Sequence, residues 1–234
     1  METADLPRWR RGRAQWVVRS RFAEDELAAR APQGIHQYVI LGAGFDTFAY
    51  RQPAWAAALR IFEVDHPVTQ EWKRAALAKA GIPIPTNLTW IPVDFEHDSL
   101  AGRLSAAGFD RARPTFVSWL GVTQYLTRPA IDETLRFVAG LPALSTIVLT
   151  FILVDEALPE EVRERKREAM ALFAAQGEPW LTFFHPDELR AHLHELGFAR
   201  VVHVTPTQAD ARYFAGRADG MRAETGTHLM SATV

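Results

Sequence analysis

The feature that most constrains this chain is the run from Gln37 to Arg51, QYVILGAGFDTFAYR, where a short apolar stretch leads straight into two glycines separated by one residue. Tyr38 to Leu41 has strand length and no helical period, as expected of a central strand covered on both faces. Gly42 and Gly44 then permit the left-handed backbone of a sharp turn and keep side chains away from a ligand. A nicotinamide dinucleotide loop carries a third glycine, G-x-G-x-x-G, where helix and strand close around a pyrophosphate. Here that position is Thr47, and Asp46 beside it adds negative charge where a pyrophosphate would lie. The loop Gly42, Ala43, Gly44 and Asp46 therefore points to a cofactor without phosphates, a description that S-adenosylmethionine fits.

An acid caps the ribose about twenty residues further on in a mononucleotide-binding βαβ unit. At that distance Ile61 to Asp65 reads as a second strand ending in acids. Glu63 and Asp65 share one side of the strand, so either can accept ribose hydroxyls. Asp65 is favoured, because ligands of open α/β sheets sit at the carboxyl ends of strands. His66 is a candidate neighbour of the adenosine, with a surface histidine as the alternative.

The remaining chain alternates. Helices are expected over Pro67 to Ala80, Ser99 to Ala107, Pro129 to Leu141, Leu158 to Ala175 and Pro186 to Leu196. Strands are expected over Leu88 to Val93, Thr115 to Leu120, Ser145 to Val154 and Val201 to Thr205, with His228 to Val234 as a closing partner. This alternation is that of a doubly wound α/β sheet.

The motifs LGAGFDTFAYR, FEVDHPVTQEWKR, PVDFEHDSL, SWLGVTQYLTRPAI, FFHPDELRAHLHELGF and ARYFAGRADG together resemble the leucine carboxyl methyltransferase family, in particular its bacterial branch of S-adenosylmethionine-dependent O-methyltransferases. The likeness runs from about Arg19 onward. It implies a Rossmann-like class I methyltransferase fold: a seven-stranded, mostly parallel sheet with an antiparallel last strand and a helical substrate cover, here residues 155–185, on one domain spanning 1–234 with an N-terminal helical segment over 1–34. It also implies that S-adenosylmethionine is held by Gly42 and Gly44, by Asp65, by Asp94 with Phe95 on the adenine side, and by Arg19 at the methionine carboxylate, with Arg21 close by. S-adenosylhomocysteine is the implied product. Tyr125, Tyr213, Arg212 and Arg217 fall over the mouth in the family pattern and are candidates for the acceptor side; the alternative is packing for Tyr125 and surface pairing of the arginines with Asp210 or Asp219. One departure stands out: many members carry glutamate where this chain has Leu120, at the cofactor's methionine end.

Composition bounds the reading. A chain of 234 residues with 48% hydrophobic content can bury one large core. A formal net charge of −2 and a pI near 6.5 lack the basic footprint of a nucleic-acid binder. No stretch reaches the roughly 18 consecutive apolar residues of a membrane span, and no signal-peptide pattern is present, so a cytoplasmic enzyme is expected. The absence of cysteine excludes disulfides and thiolate chemistry. Arg8, Arg10, Arg11, Arg13, Arg19 and Arg21 are interleaved with Trp9, Trp16 and Phe22, a pattern that could stack on a nucleic acid but is better read as an N-terminal helix whose stripe Trp16, Val17, Val18 and Phe22 packs across the sheet with the arginines facing water.

No metal is expected. His192 and His194 lie two apart on a helix, hence on different faces. Methyl transfer from a sulfonium is an in-line displacement that needs positioning first. A carboxylate acceptor is already ionised at neutral pH, whereas a hydroxyl calls for a general base. The alternatives are a protein of this fold that binds the cofactor without turnover and, behind it, a nucleotide-cofactor dehydrogenase. The small-molecule acceptor itself and the oligomeric state are not legible.

Overall fold

A computed structural model describes residues 7–223 and 225–234, with side chains from residue 12 onward. The side chains of Arg8, Trp9, Arg10 and Arg11 lie outside the described residues. Seven strands form one sheet in the order β3-β2-β1-β4-β5-β7-β6. They are β1 (Gln37–Leu41), β2 (Arg60–Asp65), β3 (Leu88–Pro92), β4 (Thr115–Trp119), β5 (Thr146–Ile152), β6 (Arg200–Val204) and β7 (Thr227–Thr233). β1 to β5 run parallel to one another, and β7 runs antiparallel between β5 and β6.

Strand alternation sorts the core into two layers. Val39 and Leu41 of β1 join Phe62, Val64, Val117, Trp119, Leu149 and Phe151 on one face, beneath α3 (Leu100–Ala106), α4 (Arg128–Ala139) and α6 (Pro186–Glu195). Tyr38 and Ile40 join Ile61, Phe116 and Val148 on the other, beneath α1 (Pro7–Arg30) and α7 (Pro206–Tyr213). β1 and β4 are buried throughout, which is why β1 reads as a continuous apolar run.

Local signals set several ends. α2 (Pro67–Ala80) opens on Pro67 at N1 and closes on Gly81 in the left-handed region, φ 65°. Ser99 caps α3 by accepting a hydrogen bond from the Gly102 N–H.

The link from β1 to β2 is made of two 3-10 segments, Phe48–Tyr50 and Ala54–Ala58. Pro53, which cannot continue a helix from the first segment, stands between them. The apolar stripe of α1 is Ala14, Val18, Phe22 and Leu27, while Trp16 and Val17 are each 53% exposed. A helix turning 100° per residue cannot bury Trp16, Val17 and Val18 together. The sequence offers α5 (Glu160–Ala175) an apolar face of Leu158, Val162, Ala169, Leu172 and Phe173; Val162 is buried, but Leu172 is 59% exposed.

Candidate active site

The carboxyl ends of β1 and β4 open on a cavity of about 510 Å3 lined by Trp16, Arg19 and Ser20 of α1, by Gly42, Phe45, Asp46 and Thr47 of the glycine loop, by Ser118 of β4 and by Leu120 after it, among others. Its floor is the loop. Gly42 and Gly44 adopt φ of 60° and 45°, the left-handed values anticipated for them. The Ala43 N–H donates to the Val64 carbonyl (3.1 Å) and the Asp46 N–H to the Ala43 carbonyl (2.7 Å), which bends the loop back onto the end of β2.

Asp65 holds that bend. The Gly44 N–H donates to one carboxylate oxygen, and the His66 N–H donates to the other at 2.7 Å. Burial raises the Asp65 pKa, and the two N–H donors oppose the shift. Asp46, also raised by burial, accepts from the Phe48 N–H at 2.7 Å. Beneath Asp65, Glu63 is fully buried and ion-paired to Lys73 at 2.8 Å. Of the two acids on β2, the strand-end residue is the one beside the loop.

Arg19 enters from the α1 side. An ideal Cβ on Gly121 would lie 2.1 Å from its Nη1, so the guanidinium rests against bare backbone, and it makes no hydrogen bond or ion pair with any described residue. Burial lowers its pKa, while Asp46 and Tyr125 act in the opposite sense. Arg21 instead points outward to Asp25 at 3.0 Å. A cation left without a partner inside a cavity is a receptor for an anion.

The remaining candidates scatter. Asp94 sits beyond β3 with its carboxylate accepting from the Glu96 N–H (3.0 Å) and bonded to His97 Nδ1 (3.0 Å); the Glu96 N–H is the main cause of its lowered pKa. Phe95 packs against Trp119 with centroids 6.3 Å apart. His66 caps α2 by accepting from the Val68 N–H at 3.4 Å. Tyr125 ends the 3-10 turn Thr123–Tyr125, its ring 6.3 Å from that of Phe173 on α5.

Arg212, Tyr213 and Arg217 do not line the cavity. Arg212 and Tyr213 both donate to Asp25 of α1, at 3.1 and 3.0 Å, and Arg217 pairs with Asp219 at 2.5 Å on the surface. The surface pairing considered for Arg217 is thus seen. Arg212 pairs across the molecule rather than with Asp210, whose carboxylate accepts from the Ala223 N–H at 2.6 Å. The two imidazoles on α6 also part: His192 meets Asp132 at 2.9 Å and His194 meets the Phe198 carbonyl at 2.9 Å.

Three residues that the sequence does not single out for the site belong here. Trp16 and Phe45 line the mouth while 53% and 62% exposed, and Lys73 is buried beneath it. Of these, Trp16 reads in the sequence as part of the apolar stripe of α1, and Lys73 only as a residue of the α2 helix.

α5 and the segment behind it cross the loop that follows β4. Lys166 donates to the Leu153 carbonyl (2.8 Å) and to Asp155 (2.7 Å). The Leu181 N–H and the Thr182 hydroxyl donate to the carbonyls of Gln124 and Leu126, each at 2.6 Å. Phe173 stacks on Trp180 at 5.5 Å.

Comparison with known proteins adds a family. Residues 2–139 match the leucine carboxyl methyltransferase family. A Bacillus subtilis protein is 33% identical over 222 residues, covering 92% of this chain and 71% of that protein; its name, S-adenosyl-L-methionine-dependent methyltransferase YktD, is itself provisional. A similarly named Mycolicibacterium smegmatis protein is 33% identical over 202 residues, covering 86% of this chain and 60% of its own length. Among solved structures, human N-acetylserotonin methyltransferase in complex with S-adenosylmethionine superposes with a TM-score of 0.55 at 14% identity, over 98% of this chain and 57% of that one. Among the described residues, no helix is long and apolar enough to cross a membrane.

Proposed function

The chain belongs to the leucine carboxyl methyltransferase family of S-adenosylmethionine-dependent methyltransferases, and from that premise we propose that it methylates an oxygen, carboxylate or hydroxyl, of a small molecule. The observation that carries the cofactor part is the convergence of Arg19, the bare Gly42–Gly44 loop and Asp46 on one cavity, with Asp65 clamped to the loop beside it. These residues fit the cofactor. Arg19 has the charge and the free donors for its amino-acid carboxylate. Asp65 stands where a ribose acid is expected, and Asp94 with Phe95 lies at the next strand end for the adenine. Leu120 offers no charge at the methionine end, but Asp46 lines the same cavity and supplies the carboxylate that an ammonium requires.

When bound, S-adenosylmethionine supplies a methyl group on a sulfonium leaving group. The protein's part is to orient the acceptor oxygen and to exclude water. Tyr125, which does not line the cavity but acts electrostatically on Arg19, is the candidate to direct an acceptor, and α5 with residues 177–184 packs against it through Phe173. The exposed rings of Trp16 and Phe45 favour an acceptor with an apolar body. The net charge of −2 favours a small molecule over nucleic acid.

Calorimetric titration with S-adenosylmethionine, S-adenosylhomocysteine and NAD, repeated on Asp65→Ala, tests the cofactor. The adenosyl ligands should bind, NAD should not, and the variant should bind weakly. Transfer of labelled methyl to panels of carboxylic acids, phenols, alcohols and amines tests the acceptor. Transfer confined to amines, or to no panel, would overturn the oxygen assignment.

A further inference from the structure

We propose that Glu63, paired with Lys73, sets the charge of the cofactor pocket, so that the site holds the sulfonium-bearing cofactor more tightly than its uncharged thioether product. This rests on the cofactor reading above and extends it to a residue that does not line the cavity.

Glu63 is fully buried, and the Lys73 side chain is 4% exposed. Lys73 Nζ donates to Glu63 Oε2 at 2.8 Å, and the Tyr50 hydroxyl donates to the same oxygen at 3.3 Å. Glu63 Oε1 is buried with no hydrogen-bond partner. The ammonium lies 5.2 Å from the Tyr50 ring centroid and 5.5 Å from that of Trp90. A buried ion pair with one oxygen unsatisfied is a poor device for stability, since well-packed apolar replacements are often neutral or better. What the pair does have is reach: the Lys73 charge acts on Asp46 and on Asp65, and the Asp46 charge acts on Glu63.

The local charges therefore form one group. Asp46, Glu63 and Asp65 are balanced by Lys73 and Arg19, leaving one negative charge in excess when all are ionised. Of the other groups facing them, Arg51 is held by Glu24, Arg74 lies over Trp90 at 4.8 Å, Tyr50 stays neutral because burial and Glu63 raise its pKa, and His66 flanks Asp65. S-adenosylmethionine carries a sulfonium charge that S-adenosylhomocysteine lacks, so the excess acts on the first and not on the second. Burial raises the Glu63 pKa to about 7, with Lys73 opposing the shift. A proton taken up there cancels the excess within the neutral range.

The test is calorimetric titration of both adenosyl ligands between pH 6 and 8.5, with the ratio of the two affinities as the readout, because a loss of packing weakens both alike. For the natural protein the preference for the sulfonium ligand should fall on the order of ten-fold as the pH drops, the effect of one charge across a partly buried site. Glu63→Gln should show the low-pH ratio throughout. Glu63→Gln with Lys73→Met removes both charges and should give a ratio independent of pH, with thermal melting of the ligand-free protein confirming that it folds. A pH-dependent ratio that persists in either variant assigns the effect to His66 or to the ligand's own amino group and overturns the proposal, as does a flat ratio in the natural protein. Failure to bind S-adenosylhomocysteine at any pH would overturn the methyltransferase reading itself.

Discussion

Arg19 Nη1 occupies the space that a side chain on Gly121 would need: an ideal Cβ at that glycine falls 2.1 Å from it. The glycine after β4 and the arginine of α1 are thus one unit, although 102 positions separate them.

Gly121→Ala should displace the guanidinium and strain a backbone at φ 76°. If Arg19 holds the cofactor carboxylate, S-adenosylhomocysteine affinity should fall roughly 10- to 100-fold, the worth of a charged hydrogen bond. Arg19→Gln should reproduce most of that loss by calorimetry. Unchanged affinity in both variants would remove Arg19 from the site.

The glycine loop separates steric from conformational need. A Cβ on Gly42 would lie 2.2 Å from Val122 Cγ2, whereas one on Gly44 meets nothing closer than the Gly42 carbonyl at 3.9 Å. Gly42→Ala should cost about 2–4 kcal/mol and Gly44→Ala about 1–2 kcal/mol in urea unfolding. Adding Val122→Ala should recover the steric share of the first and none of the second. Absence of that recovery would mean the loop shifts as a whole.

His203 and His228 meet across β6 and β7, Nε2 to Nδ1 at 2.7 Å, with the rings stacked at 4.9 Å. Burial, then His203, lowers the His228 pKa to about 4, and burial lowers that of His203. The unfolded chain takes up a proton near pH 6.5 that the folded protein refuses until near pH 4, so stability rises with pH across that window. Melting temperature should therefore fall from pH 7 to pH 4.5, with His228 contributing on the order of 2 kcal/mol after allowance for its partial exposure. His228→Gln should flatten that slope; an unchanged slope would assign the acid sensitivity elsewhere.

Lys166 ties α5 to the end of β5 through the Leu153 carbonyl and Asp155, with its ammonium 3.8 Å from the Phe183 ring centroid. Lys166→Met leaves that carbonyl without its donor and should speed amide exchange over residues 160–175 while leaving β1 and β4 protected. Equal protection in the variant and the natural protein would show that apolar packing alone seats the helix.

Much of this architecture is legible in the chain because its signals are local. Pro67 and Gly81 mark both ends of α2, and the apolar run before Gly42 marks the central strand. α7 escaped the reading although its capping box is written in Thr205 and Gln208; the segment is short and its apolar pattern weak. The loop glycines and Asp65 were readable because their spacing follows from one βαβ turn. Lys73 was not, because a lysine inside a helix looks solvated until the partner strand is placed against it. The attachment of Arg212 and Tyr213 to Asp25 joins residues 187 and 188 positions apart, a distance at which sequence carries no periodic signal.

The place of β7 has a consequence for synthesis. β5 and β6 do not touch; each bonds to β7, which leaves the ribosome after both. Until residues 227–233 emerge, the nascent chain carries two strands with open edges and a slot between them, the kind of surface on which neighbouring polypeptides add strands. Closure of the sheet thus waits until β5, β6 and β7 have all emerged, and the interval before it is when these edges are most open to strand addition by other polypeptides.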